Sequence, residues 1–360
     1  MKKFISLVLV LLMGLSTVSC KIPEGRKKNY GVEEKPFQFA FDAFDTQCSI
    51  SFYGVQDETT ASQYFYAMKN LVERYEEVFS KTNENSEIYE INHRTSDSVM
   101  ICDEVASIFE IASSLYEWSG KKFDISLGTL IDLWDVKNRK TVPTLAEINE
   151  ARKHTGNFNY TIERNVNEDE FTRHRITFTG DKLTQYDFGA LVKGYCCDAL
   201  KEMLAENENI KACIVNLGGN VLCTGEVDGR ADSAFRVGVF KPFSGNDIID
   251  TIEVKNRNVI TSGNYQRYFK VEGDDRVYHH IIDPTTGYPT NNGIDSVTIV
   301  SENGLLGDYL STACMLLGEE KSKDLIDFAS KSFNDKNIQA TFVYSDGRVT
   351  KYPLKVNLKK

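Results

Sequence analysis

The stretch Gly304 to Gly318, GLLGDYLSTACMLLG, constrains the fold more tightly than any other. On a helix, Leu306, Leu310, Ala313, Cys314 and Leu317 share one apolar stripe, and Asp308, Ser311, Thr312 and Met315 share the opposite one. A solvated helix face carries Lys, Glu or Arg, which favour helix; Asp, Ser and Thr do not. The methionine among them indicates that this second face is covered as well. Asp308 and Thr312, four residues apart, place two oxygens within reach of one hard cation such as Mg²⁺.

The rest of the chain mixes strand and helix signals. Residues 37–53, FQFAFDAFDTQCSISFY, alternate with period two, but the parity changes near Asp42–Asp45, which predicts a bulge or a restart there. Apolar residues at helical spacing predict helices over 59–79 and 102–119, and a shorter one over 144–154 lies in a polar region with hairpin strands. From residue 187 onward no regular βαβ rhythm is present, so the class is α+β, with two lobes around a cleft.

The first residues, MKKFISLVLVLLMGLSTVSC, have the charged, apolar and small-residue pattern of an export signal. Residues 1–19 are read as a signal peptide, 20–36 as a polar tether and 37–360 as the catalytic domain. Cys20 fits a bacterial lipidation site, with ordinary signal-peptidase cleavage as the alternative. Lys and Arg number 42 against 52 Asp and Glu, a formal net charge of -10, which argues against a nucleic-acid partner. The seven later cysteines form no C-x-x-C pair and lie mostly in apolar runs, as small buried residues do.

Two polar stretches carry candidate chemistry. In DFGALVKGY (187–195), Gly189 and Ala190 precede a helix, where unpaired amides attract anions, and Lys193 in the first turn opposes the helix dipole unless a phosphate is bound. In YHHIIDPTTGYP (278–289), a strand over 277–282 would point His279 and His280 to opposite faces, His280 alongside Tyr278 and Ile282. One histidine at most then faces a site. The Asp283–Gly287 turn ends that strand.

Six stretches in order resemble the ApbE-type flavin transferases, the FAD:protein FMN transferase family. They are FDISLGTLIDLW (123–134), DFGALVKGY (187–195), NLGGN (216–220), TSGNY (261–265), HIIDPTTGYP (280–289) and GDYLSTA (307–313). The resemblance implies a two-lobed α+β fold, with mixed or antiparallel sheets and flanking helices around a central flavin cleft. It implies an exported, lipid-anchored, Mg²⁺-dependent enzyme on the outer side of a bacterial cell membrane. Such an enzyme takes FAD, releases AMP and attaches FMN by a phosphoester to a threonine of another protein. The acceptors resemble subunits of membrane-bound, ion-pumping redox complexes.

Carried over by motif, the metal ligands are the Ala190 carbonyl and the Asp308 and Thr312 side chains. The implied FAD contacts are Lys122, Phe123, Asp124, Asp187, Lys193, Ser262, His280 and Ile281. His280 is the family's histidine and His279 the bystander. Two departures fall where the family holds the flavin: Phe44-Asp45-Thr46 replaces the frequent Met-Gly-Thr, and Thr82 replaces a tyrosine. The catalytic candidates are His280, as the base that activates the threonine, and Asp308 as the competing base. An FAD pyrophosphatase and a non-catalytic FAD-binding lipoprotein are the rival readings.

Overall fold

A computed structural model describes residues 35–353, apart from 169–170, 207–208 and 228–233. The expected signal peptide, Cys20 and nearly all of the tether lie outside the described residues.

The first elements among the described residues are β1 (Phe37–Ala43) and β2 (Thr46–Tyr53), paired antiparallel. Phe44 and Asp45 between them both adopt left-handed φ, 53° and 57°. That is the backbone of a two-residue hairpin turn, so the parity change in the sequence is a chain reversal. Helix α1 (Glu58–Phe79) follows, capped by Asp57, whose side chain accepts from Thr60 N. Then come α2 (Glu87–Asn92), β3 (Ser98–Ile101), α3 (Asp103–Trp118), α4 (Gly128–Trp134) and α5 (Leu145–Arg152). Thr144 and Glu147 form a capping box at the start of α5. The hairpin β4 (Tyr160–Glu168) and β5 (Phe171–Phe178) precedes α6 (Val192–Ala205).

Strands β6 (Ala212–Leu217), β7 (Asn220–Gly225), β8 (Phe235–Phe240), β9 (Ile248–Val254) and β10 (Arg257–Gly263) follow, then the short β11 (Tyr268–Phe269) and β12 (Tyr278–His279). β13 (Ile294–Ser301) leads into α7 (Gly304–Leu317) and α8 (Glu319–Ser332), and β14 (Gln339–Tyr344) and β15 (Val349–Tyr352) end the fold.

The main sheet has eight strands in the order β1-β2-β6-β7-β10-β13-β14-β15, and every pairing is antiparallel. Because side chains alternate, each strand feeds two cores. One face, through Ile50, Val215, Leu222, Ile299 and Phe342, packs in the core that includes α1, α6 and α7. The other, through Ile214, Val221, Val259 and Val300, packs against Phe235 and Ile252 of the β8–β9 hairpin. A second lobe holds the three-stranded sheet β3-β5-β4. Phe109 of α3 meets Tyr160, Phe178 and Tyr186 edge to face there, at centroid distances of 5.1, 6.3 and 5.2 Å.

Helix α7 lies under the main sheet and is buried on both expected stripes: Asp308, Ser311 and Met315 are covered as fully as Leu306 and Leu310. The strand expected over 277–282 is shorter. It ends at His279, because its partner β11 offers two residues, and beyond it Ile282 makes a single bridge to Pro289. Tyr278 and Ile282 share a small core with Trp134, while His280 stands outside it at a bend. The two histidines therefore differ by where the ladder stops, not by regular alternation.

Candidate active site

The site is assembled where α6 crosses α7. Gly194 N–H, in the first turn of α6, donates to Asp308 Oδ2 at 2.9 Å. Ser262, near the end of β10, has its hydroxyl 2.7 Å from Ser311 Oγ and 3.1 Å from Thr312 Oγ1. β10 thus brings a hydroxyl down onto the polar stripe of α7, which explains why that stripe tolerates serine and threonine in the interior.

Asp308 is 3% exposed, and no cation among the described residues pairs with it. A buried carboxylate left without a cation is costly, which is the condition a metal ion relieves. The groups the resemblance names as ligands are the Asp308 carboxylate, the Thr312 hydroxyl and the Ala190 carbonyl, in the turn just before α6. That all-oxygen set suits a hard cation. No cluster of three His, Cys, Asp or Glu side chains exists among the described residues, so any ligand set would draw on backbone and hydroxyl oxygens.

Lys193 immediately precedes Gly194, whose amide holds Asp308. Its Nζ reaches the Gly189 carbonyl at 3.5 Å and has no carboxylate partner among the described residues. The expected anion cradle at the helix start is largely spent on internal bonds. Gly189 N–H donates to Asp187 Oδ1 (2.8 Å), and the Leu191 and Val192 amides donate to the Phe188 carbonyl (2.8 and 2.9 Å). With Gly194 N–H also taken, the charged group left for an anion there is the lysine side chain.

Asp187 Oδ2 lies 3.4 Å from Lys81 Nζ, which also bonds Asp132 at 2.5 Å. Sequence reasoning passed over Lys81 and Asp132. The signal was available, since Lys81 adjoins Thr82 and Asp132 lies within the 123–134 stretch.

The histidine pair divides cleanly. His279 is 1% exposed; its Nε2–H donates to the Thr290 carbonyl (2.8 Å) and its Nδ1 accepts from Ile281 N–H (3.3 Å). Both ring nitrogens are thereby used. His280 Nδ1 lies 3.3 Å from the Arg267 carbonyl, and since a carbonyl only accepts, Nδ1 carries the proton and Nε2 keeps its lone pair. Part of the residue reaches solvent, but protein crowds the ring. This burial, then His279 and Arg267, and beyond them Lys193, pushes its pKa down to about 3. It is a far weaker base than an ordinary histidine.

The remaining candidates occupy varied settings. Lys122 Nζ is held by Asp283 Oδ1 and Oδ2 (2.7 and 2.8 Å) and Thr285 Oγ1 (2.8 Å). Phe123 and Ile281 are buried in the main core. Asp124 accepts from Ser126 N–H (2.7 Å), Ser126 Oγ–H (2.6 Å) and Gly156 N–H (2.9 Å), and burial raises its pKa. Ligand contact at 123, 124 and 281 would therefore run through the backbone. Phe44 N–H donates to Glu76 Oε1 (2.7 Å), its carbonyl accepts from Arg267 (3.3 Å), and Thr82 is exposed on the loop after α1.

Comparison with known proteins places this architecture. The FAD:protein FMN transferase of Klebsiella pneumoniae is 32% identical over 268 residues, covering 74% of this chain and 78% of that protein. That of Treponema pallidum is 28% identical over 313 residues, 84% and 83% of the two chains. The solved structure of the ApbE protein from Thermotoga maritima matches with a TM-score of 0.73 at 29% identity, over 89% of this chain and 97% of that one. The apo form of the Pseudomonas stutzeri flavinyl transferase ApbE shares the fold, with a TM-score of 0.71 at 23% identity over 89% and 96% of the two chains. The ApbE family model itself matches residues 44–335, from the β1–β2 turn to beyond α8, and the chain belongs to that family.

Proposed function

We propose that this protein transfers FMN from FAD to a threonine hydroxyl of an acceptor protein, forming a phosphoester and releasing AMP. The observation that carries the reading is the buried, cation-free Asp308, held by Gly194 N–H next in the chain to Lys193, whose ammonium group has no carboxylate partner among the described residues. A lysine and a buried carboxylate that each lack a charged partner suit an anion and a metal ion together. A pyrophosphate with Mg²⁺ supplies both.

The Ala190 carbonyl, Asp308 and Thr312 would hold Mg²⁺, which supplies Lewis-acid neutralisation of the pyrophosphate and of the departing AMP. Lys193 binds the phosphate oxygens by charge and orients the FMN-side phosphorus; positioning of this kind dominates phosphoryl-group transfer. Ser262 keeps Thr312 in its rotamer. The bond that forms joins the threonine oxygen to the FMN phosphorus, and the bond that breaks is the P–O bond to AMP. The hydroxyl proton passes to His280 Nε2, the free lone pair of that ring, and Asp308 is the competing acceptor. The low proton affinity of His280 in the free protein rises when the pyrophosphate neutralises Lys193 and Arg267, two of the charges that depress it.

The export-signal pattern that ends in Cys20 supports a further reading: residues 1–19 direct export, Cys20 carries the lipid, and the acceptors are subunits of membrane ion-pumping redox complexes. Cys20→Ala should then release the protein from membranes.

The test is a mass-resolved incubation of the chain with FAD, Mg²⁺ and a threonine-bearing acceptor domain. An acceptor heavier by one FMN, with AMP released and both lost in EDTA, is the expected result. AMP and free FMN beside an unmodified acceptor, across a panel of acceptors, would mean hydrolysis; FAD retained intact would mean a carrier.

A further inference from the structure

Helix α7 owes its position to α6 in a way that its own sequence does not reveal. The first amides of a helix need acceptors. Asn303, the local cap, accepts from Leu306 N–H at 2.7 Å. The two preceding amides are served from another helix: Gly304 N–H donates to Asp198 Oδ1 at 2.5 Å and Leu305 N–H to Asp198 Oδ2 at 2.8 Å. One turn earlier on α6, Gly194 and Gly304 meet backbone to backbone, so that a Cβ on either would overlap the other's carbonyl oxygen. Gly194 N–H then holds Asp308 Oδ2.

The contacts form a closed frame. Gly194 and Asp198 are four residues apart on α6, and Gly304 and Asp308 are four apart on α7. Each helix therefore presents one turn to the other, and three of the four cross-helix pairs of these residues are joined by hydrogen bonds or backbone contact. Sliding or rotating α7 along α6 would strain the Asp198 pair. It also moves Asp308 relative to Ala190 and Lys193, which precede Gly194 on the same chain segment.

We propose that Asp198 is a positioning residue, fixing Asp308 of α7 against the turn that carries Ala190 and Lys193. The inference rests on the reading of Asp308 and Ala190 as metal ligands. It separates Asp198 from an ordinary helix cap, whose loss would lower stability without touching the site. Partners of metal ligands that orient them typically set affinity by about 10- to 100-fold.

The test compares Asp198→Asn with Asn303→Ala on the full chain loaded with FAD, reading Mg²⁺ affinity by calorimetry alongside kcat and the KM for FAD. Asp198→Asn keeps one acceptor but turns an NH₂ toward a backbone N–H. It should weaken Mg²⁺ binding about 10-fold or more, lower kcat, and leave the KM for FAD within about twofold. Asn303→Ala removes the local cap alone and should retain wild-type Mg²⁺ affinity and kcat. If Asp198→Asn does not fold, Asp198→Glu takes its place, keeping both acceptors on a longer arm and losing Mg²⁺ affinity in the same direction. Equal Mg²⁺ affinity in the wild type and the Asp198 variant, or equal losses in the Asp198 and Asn303 variants, would overturn the assignment. A wild-type protein that binds FAD but no Mg²⁺ would instead overturn the metal reading, and the assignment with it.

Discussion

Lys122 meets the turn at 283–287, where both oxygens of Asp283 and the hydroxyl of Thr285 hold its ammonium group at 2.7 to 2.8 Å. Lys193, on the first turn of α6, meets one carbonyl at 3.5 Å. Both residues carry motifs of the family, and both are candidate flavin contacts. The fold has completed the first site and left the second open. A cation that already has a carboxylate stabilises the turn it touches, whereas one left without a carboxylate is set up for a ligand that brings its own charge. The comparison extends to the histidines: both nitrogens of His279 are consumed by the backbone, and His280 keeps one.

The comparison is easiest to break at Asp308. Asp308→Ala should reduce Mg²⁺-dependent turnover by about 10³-fold or more, since a removed charge-stabilising group costs that order. Retained turnover in a steady-state assay would place the chemistry elsewhere. His280→Ala should lower kcat by about 10²-fold, at the low end for a general base because its pKa is depressed. His279→Ala should instead cost about 1–3 kcal/mol of stability, the consequence of two lost buried hydrogen bonds, with kcat per folded molecule retained. Equal kinetic damage from the two substitutions would erase the distinction between them.

The smallest effect concerns pH. His280 has a folded pKa near 3, below its ordinary value of 6.5. Between those values the unfolded chain takes up a proton that the folded chain refuses, so the contribution to stability is full above pH 6.5 and declines as pH falls toward 3. Urea unfolding at pH 7 and pH 5 should show the wild type losing more stability on acidification than His280→Gln. A loss of the same size in both would remove His280 as the cause.

Much of this was legible in the sequence. The double-sided burial of α7 follows from which residues replace Lys and Glu on its second face. The break between β1 and β2 shows as a parity change, though as an expected bulge or restart and not as a reversal, and the short helix expected over 144–154 is α5. What stayed hidden depends on partners distant along the chain. The length of β12 is set by β11, and no local pattern reports a two-residue partner. The Leu191, Val192 and Gly194 amides, expected to face an anion, bond Phe188 and Asp308 instead. Asp198 reads as an unremarkable helix-surface acid until α7 is laid against it. The depressed pKa of His280 arises from burial and from charges on Arg267 and Lys193, which converge only in three dimensions.

The measurement that bears most directly on the account is the affinity of Lys193→Ala and Lys122→Ala for FAD and for FMN, in the presence of Mg²⁺. A charge-assisted hydrogen bond contributes about 1.5–3 kcal/mol, so Lys193→Ala should weaken FAD binding by about 10-fold or more and FMN binding by clearly less. Lys122→Ala should change the two ligands alike. Equal losses for FAD and FMN in Lys193→Ala would contradict the account, because Lys193 would then not touch the pyrophosphate that the open site is proposed to hold.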